Sequence, residues 1–333
     1  MKKYILSILL SGAFMFTACS DFLDEVPKGN ITSEGYYKTA QHAISATNAI
    51  YDYLIIGYAP NGLWDKNYGG TFYNDYWVLQ DMFADNSETN QTSIDYQSVE
   101  NMQIDQYNQP VELLWRDFYQ TIKCCNVVID KVPSIDMDVT LRNQLVAEAK
   151  FFRAMMYFDL IRMFGDVPLR EHNVESAEED ATSRTSKETI YELIFSDLKT
   201  AETDLKYTER FGGGRPYPAS ASALLARVYL TYAAEHHSQE HYQLAVDKAK
   251  SVIPNFPMLE NYGDLFKVAN RFNTEIIWGV NFSATLSEGW KGAQFLVRLL
   301  PALDGVSPKD GKMLPKIYGI ALTSRMTSAW MLL

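Results

Sequence analysis

Between residues 73 and 101 the chain sets flat rings beside amides and carboxylates. Tyr73-Asn74-Asp75-Tyr76-Trp77 is followed by the Asp85-Asn86 turn, then by Tyr96 and Asn101, and Trp290 stands in a glycine-marked stretch much later. Ring faces can cover the apolar faces of a sugar, while amides and carboxylates share hydrogen bonds with its hydroxyls. Tyr73, Asn74, Trp77, Asp85, Asn86, Tyr96, Asn101 and Trp290 therefore form the candidate ligand-binding set. The competing role for Tyr73 and Trp77 is core packing, because large aromatics are mostly buried.

A different chemistry opens the chain. Met1-Lys2-Lys3 precedes an apolar run from Tyr4 to Phe16, then Thr17-Ala18-Cys19. A basic start, a short apolar stretch and small residues before a cut site make an export signal, and the run is too short to span a bilayer. Cleavage before Cys19 frees a thiol for lipidation, and acyl chains then hold the protein on a membrane. The acidic stretch Ser20-Asp21-Phe22-Leu23-Asp24-Glu25 follows as a polar tether. Its position after the cysteine resembles the surface-export signal of Bacteroidetes lipoproteins.

Other reactive-looking groups carry less. His237 and His241 are four apart, but no third ligand at suitable spacing accompanies them, and His236 completes what reads as a solvated helix turn. Asp81, Asp85 and Glu88 lie in one segment, whereas glycoside hydrolysis needs two carboxylates facing each other across a cleft. Gly212-Gly213-Gly214 lacks the Lys-Ser/Thr that completes a phosphate loop, so it reads as a turn. Cys124 and Cys125 are adjacent in a helical segment and read as small buried or half-buried thiols. No catalytic residue, metal site or cofactor is expected.

The elements that must position these residues are helices. A helix capped by Thr32 or Ser33 runs to about Ile56, with Ala40, Ala43, Ile44, Thr47, Ile50, Tyr51 and Leu54 on one face. Residues 57–70, with Pro60 and four glycines, read as a long loop, and a short helix is expected across Asp75–Phe83. Residues 84–109 read as an extended polar loop, of a length that is uncommon unless it carries function. Pro110 opens the next helix and Pro133 closes it, with Val111, Leu114, Trp115, Phe118, Ile122, Cys125, Ile129 and Val132 stepping by three and four residues. Thr140 caps a helix whose core face includes Leu141, Leu145, Ala149, Phe152, Met156 and Leu160, and Gly165 and Pro168 stop it. Thr185 with Glu188 forms a capping box for the stripe Ile190, Leu193, Ile194, Leu198, Ala201 and Leu205. Pro218 to about Ala234 and Gln239 to Ile253 make two amphipathic helices joined by a short linker, hence antiparallel neighbours. Residues 275–282 read as a strand or extended segment.

Composition narrows the partners. The 333 residues carry 30 Lys and Arg against 41 Asp and Glu, a net of −11. Loss of Lys2 and Lys3 with the leader leaves 28 basic residues against 41 acidic ones, a net of −13. Such a surface argues against nucleic acid and against charge-driven binding to anionic lipid. Three cysteines, one of them Cys19, exclude a disulfide framework as the basis of the fold.

Several segments together resemble the SusD/RagB family of nutrient-binding outer-membrane lipoproteins. They are the opening Asp21–Gly29, the run Ala147-Glu148-Ala149-Lys150-Phe151-Phe152-Arg153-Ala154 continuing to Leu169, and Ala223–Leu230. Trp115 with Tyr119 and Asn126, and Glu275-Ile276-Ile277-Trp278, keep the family's order. Read physically, Glu148, Arg153 and Arg227 are charges on apolar helices and should form ion pairs that fix helix register. The resemblance implies a mainly all-α fold of irregular tetratricopeptide-like helix pairs with long loops and a mixed, incomplete C-terminal region. It implies a non-catalytic lid that takes an oligosaccharide or peptide and delivers it to a SusC-like TonB-dependent outer-membrane barrel. A surface glycoside hydrolase and a helical protein-interaction scaffold are the alternatives.

The resulting domain plan is a lipoprotein signal over 1–18, lipidated Cys19 and acidic tether over 19–33, and a SusD-like helical domain over 34–256. Residues 257–319 begin the family's C-terminal region, and 320–333 form an aberrant tail. Family members are longer, and the tail read one base out of frame admits an Asp/Arg-rich segment, so a frameshift truncation is expected.

Overall fold

The computed structural model describes residues 36–58, 64–83, 93–174, 183–206 and 214–282. The chain divides into two units after Lys38. Of the first unit the description holds only Tyr36–Lys38, where the rings of Tyr36 and Tyr37 meet edge to face at 5.1 Å. In the second, apolar residues three and four apart fold into α1 (Ala40–Ile55), α2 (Asp75–Asp81), α3 (Ile94–Glu100), α4 (Gln109–Lys131), α5 (Val139–Phe164), α6 (Lys187–Asp204), α7 (Pro218–His236) and α8 (Gln239–Val252). Two small antiparallel ladders join them. β1 (Ile56–Tyr58) pairs with β2 (Trp64–Gly69), and β3 (Val167–Pro168) pairs with β4 (Arg184–Thr185). The fold is all-α with helices paired in chain order, as the sequence implied.

The core sits around α5. Its middle, Ala147 to Ile161, is buried on nearly every side, with Phe152, Met156, Tyr157 and Leu160 at zero exposure. A helix apolar all round is one enclosed by neighbours, not one lying on a surface. Those neighbours are α4 on one side, α6 on the other, and α1. The single core face expected for α5 is therefore too narrow. α7 and α8 form the antiparallel hairpin that the short linker required.

Buried charge fixes the register of these helices. Arg153 on α5 forms a fork on Asp197 of α6, with Nε–Oδ2 at 2.7 Å and Nη2–Oδ1 at 2.9 Å. Its Nη1 donates to Asn126 Oδ1 of α4 at 2.9 Å and to the Glu171 carbonyl at 2.7 Å. Asn126 in turn donates to the carbonyls of Arg170 and His172, and the Tyr119 hydroxyl donates to the Pro168 carbonyl at 2.7 Å. One guanidinium thus ties three helices to the segment that follows α5. Glu148, fully buried, pairs with Arg215, and Arg227 lies over the Phe158 ring beside Asp159.

Several local expectations need correction. Residues 57–70 are not one loop: β1 and β2 pair across them, with Ile56 opposite Gly69. Ile56, Tyr58, Trp64 and Tyr68 carry strand propensity that the glycines between them masked. The polar stretch 84–109 contains α3, held by Asn108, whose Nδ2 donates to the Asp95 carbonyl and Ser98 Oγ, each at 2.9 Å. The cap of α5 is Asp138, not Thr140, because its Oδ1 accepts from the Leu141 amide at 2.8 Å. The cap of α6 is Ser186, not Thr185 with Glu188, since Thr185 is taken into β4. Residues 275–282 run extended without a ladder: the Tyr217 hydroxyl donates to the Ile277 carbonyl at 2.6 Å, and Trp278 Nε1 donates to the Gly214 carbonyl at 2.9 Å. The proposed caps Thr32 and Ser33 lie outside the described residues.

Candidate functional site

The stretch Gly70–Asn74 bends back on α1, with the Thr71 and Phe72 amides donating to the Tyr53 and Leu54 carbonyls. This turn delivers Asn74 to the start of α2, where its side chain makes no cap to the helix backbone. Instead Nδ2 donates to Asp75 Oδ1 at 2.8 Å and to the Tyr96 hydroxyl of α3 at 2.9 Å. Two residues 22 apart in sequence, both in the candidate set, are thereby brought into contact. Tyr73 is half-buried beside them. Asn101 is exposed, but its Nδ2 donates to the Gln97 carbonyl at 2.8 Å and closes the end of α3.

Trp77 is different. It is 4% exposed, one of five consecutive buried residues of α2, so the packing role is the one the structure gives it. Asp85, Asn86, Trp290 and the lipidation candidate Cys19 lie outside the described residues. Tyr107, at 78% exposure between α3 and α4, is an open aromatic that periodicity could not single out.

Beneath this corner lies Asp117 of α4, 2% exposed. Burial pushes its carboxyl up to about 8, the charge of Asp75 pushes the same way, and the Arg116 guanidinium at 3.3 Å opposes both. Asp81 at the end of α2 is also raised by burial. Asp159 is raised by burial too, although Arg162 Nη1 at 3.0 Å, Arg227 and the Tyr76 hydroxyl all favour its charged form. Asp117 and Asp159 are both closed off from solvent, at 2% and 4% exposure. Among the described residues no group of three His, Cys, Asp or Glu side chains is arranged to hold a metal ion. His237 takes the left-handed conformation that ends α7, and His241 Nδ1 meets Ser238 Oγ at 2.8 Å. Burial raises the Cys124 thiol to about 12 and Cys125 well above its ordinary value, so neither is a nucleophile.

Two hollows flank Trp278. One, of about 50 Å³, lies among Phe72, Tyr76, Asp159, Arg227 and Phe282, and holds no more than a water or two. The other, of about 220 Å³, opens between α1 and residues 214–215.

The fold defines an α-helical scaffold of stacked pairs with a polar, aromatic corner at α2 and α3. The chain belongs to the SusD-like family: residues 21–230 match the family described as starch-binding and associating with the outer membrane. A SusD-like protein, P2, of Formosa agariphila is 31% identical over 256 residues, covering 77% of this chain and 47% of its own length. A solved SusD superfamily protein from Parabacteroides distasonis superposes with a TM-score of 0.66 at 26% identity, covering 84% of this chain and 56% of that one. A solved laminarin-binding SusD-like protein gives a TM-score of 0.59 at 27% identity, over 73% of this chain and 51% of its own. The chain spans about half the length of the curated relatives it matches. No helix among the described residues is long and apolar enough to cross a membrane.

Proposed function

We propose that this protein is a non-catalytic, lipid-anchored binder of oligosaccharide nutrients at the outer membrane, handing its cargo to a TonB-dependent barrel. The observation that carries the reading is the family match over residues 21–230, whose description joins starch binding to the outer membrane. A relative that binds laminarin supports a glycan ligand. Buried Asn74 holds the Tyr96 phenol at one corner, with half-buried Tyr73 adjoining, so the two phenols are the groups offered there. Asp85 and Asn86, four and five residues after the end of α2 in sequence, are of the residue types that share hydrogen bonds with sugar hydroxyls. The export signal and Cys19 supply the anchor, and the acidic tether its reach. The family description names binding, so capture without cleavage is the chemistry the reading takes.

Affinity electrophoresis through gels containing laminarin, amylopectin or xyloglucan tests the reading. Retardation in at least one gel, weakened by Tyr96→Ala and unaccompanied by release of reducing sugar, is the expected result. Free migration in all three gels, or steady release of reducing ends, would overturn it.

A further inference from the structure

We propose that the cleft between α1 and residues 214–215 is a separate carbohydrate subsite, sized for one neutral sugar ring. The proposal rests on the glycan-binding reading above, but the cleft is built from residues apart from the Asn74–Tyr96 corner. Its cavity volume of about 220 Å³ equals the liquid volume of about seven waters, room for a single ring and not for a folded chain.

The wall is electrically balanced. Glu148 is fully buried on α5, and Arg215 Nη1 meets its two oxygens at 3.1 and 2.8 Å. The Tyr51 hydroxyl donates to Glu148 Oε2 at 2.7 Å, and the Arg215 guanidinium lies 5.5 Å from the Tyr51 ring centroid. A buried carboxylate so offset leaves little net field at the mouth. An anion gains little from a guanidinium already paired, and a cation meets that guanidinium's edge. A neutral ligand is the one the wall does not oppose.

The lips supply hydroxyl chemistry. Asn48 and Asn281 are both exposed carboxamides that line the cleft. Asn48 spends Oδ1 on Arg215 Nη2, which leaves its N–H pair to donate. Asn281 spends Nδ2 on the Gly279 carbonyl at 3.4 Å, which leaves its oxygen to accept. A donor and an acceptor lining one cleft suit vicinal hydroxyls, which do both. Leu54, Val280 and Trp278 form an apolar floor for the C–H face of the ring. Gly214 completes the shape: it sits at φ +78°, and a Cβ there would come within 3.0 Å of Asn281 Nδ2. Any other residue would both strain the backbone and push that lip away.

Saturation-transfer NMR on the full chain with glucose, galactose, mannose and xylose, each at about 10 mM, matches the millimolar affinity of a single ring. At least one sugar should show transfer. Asn48→Leu and Asn281→Leu should each cut that signal about fivefold, the worth of one lost hydrogen bond, with the melting temperature unchanged. Undiminished transfer in both variants overturns the subsite, as does the absence of transfer from all four sugars. Polymer retardation without monosaccharide transfer sinks the subsite alone, whereas loss of both sinks the glycan reading itself.

Discussion

Asp117 is a carboxyl held where its charge is unwelcome. Burial and Asp75 raise it to about 8, and a single guanidinium, Arg116, opposes them. In the unfolded chain the same group titrates near 3.9. Between those two values the folded state binds more protons than the unfolded one, so stability falls as pH rises through this window. Asp117→Asn keeps the shape and removes the titration. Urea unfolding near pH 5 and near pH 8 should show the wild type losing stability over that interval. The variant should lose less by more than about 1 kcal/mol, since one pKa unit is worth about 1.4. Parallel losses in the two proteins would mean that Asp117 is solvated. Asp159 and Asp197 are also raised, but both keep guanidinium partners and remain in either protein, so the difference isolates Asp117.

Element by element, the seven-residue helix α3 depends on one side chain. Asn108 is 2% exposed; its Oδ1 caps α4 through the Val111 amide at 3.2 Å, while its Nδ2 reaches back to α3. Asn108→Ala removes a cap worth about 1 kcal/mol and leaves α3 carbonyl and hydroxyl groups short of a donor, for a total near 2 kcal/mol. Hydrogen exchange should then accelerate across residues 94–100 before α4 is affected; uniform acceleration through the whole chain would contradict the local role. The long helices were legible because α4, α6, α7 and α8 repeat apolar residues over three or more turns. α3 spans only seven residues and owes its place to Asn108, a long-range contact that no periodicity carries. Cap positions slipped for a related reason: Asp138 and Ser186 win by reaching a backbone amide, which spacing alone does not reveal. The Arg153 hub was legible as charge on an apolar helix, but its partner Asp197 lies 44 residues away. The candidate site was legible in half. Asn74 and Tyr96 meet, Trp77 packs inward, and the Asn48–Arg215–Asn281 cleft had no local signature because its parts come from three distant segments.

At the scale of the whole molecule, charge separates the two cargo classes that the family resemblance implies. The chain carries 30 Lys and Arg against 41 Asp and Glu, a net of −11. A field of that sign draws in cationic peptides and leaves neutral sugars untouched, and salt screens it within about 8 Å at physiological ionic strength. Among the described residues that line the larger cleft, the guanidinium of Arg215 is offset by Glu148, so it adds little salt response for a neutral ligand. Binding of a neutral glucan should therefore change by less than about twofold when sodium chloride rises from about 0.05 to about 0.5 M. A basic peptide carried by the acidic surface should weaken about tenfold or more over the same range, because its attraction is mostly long-range. Titration calorimetry in the two buffers reads the difference directly. A steep salt response in glucan binding would place the contact on a charged surface, and would contradict a site made of amides, phenols and ring faces.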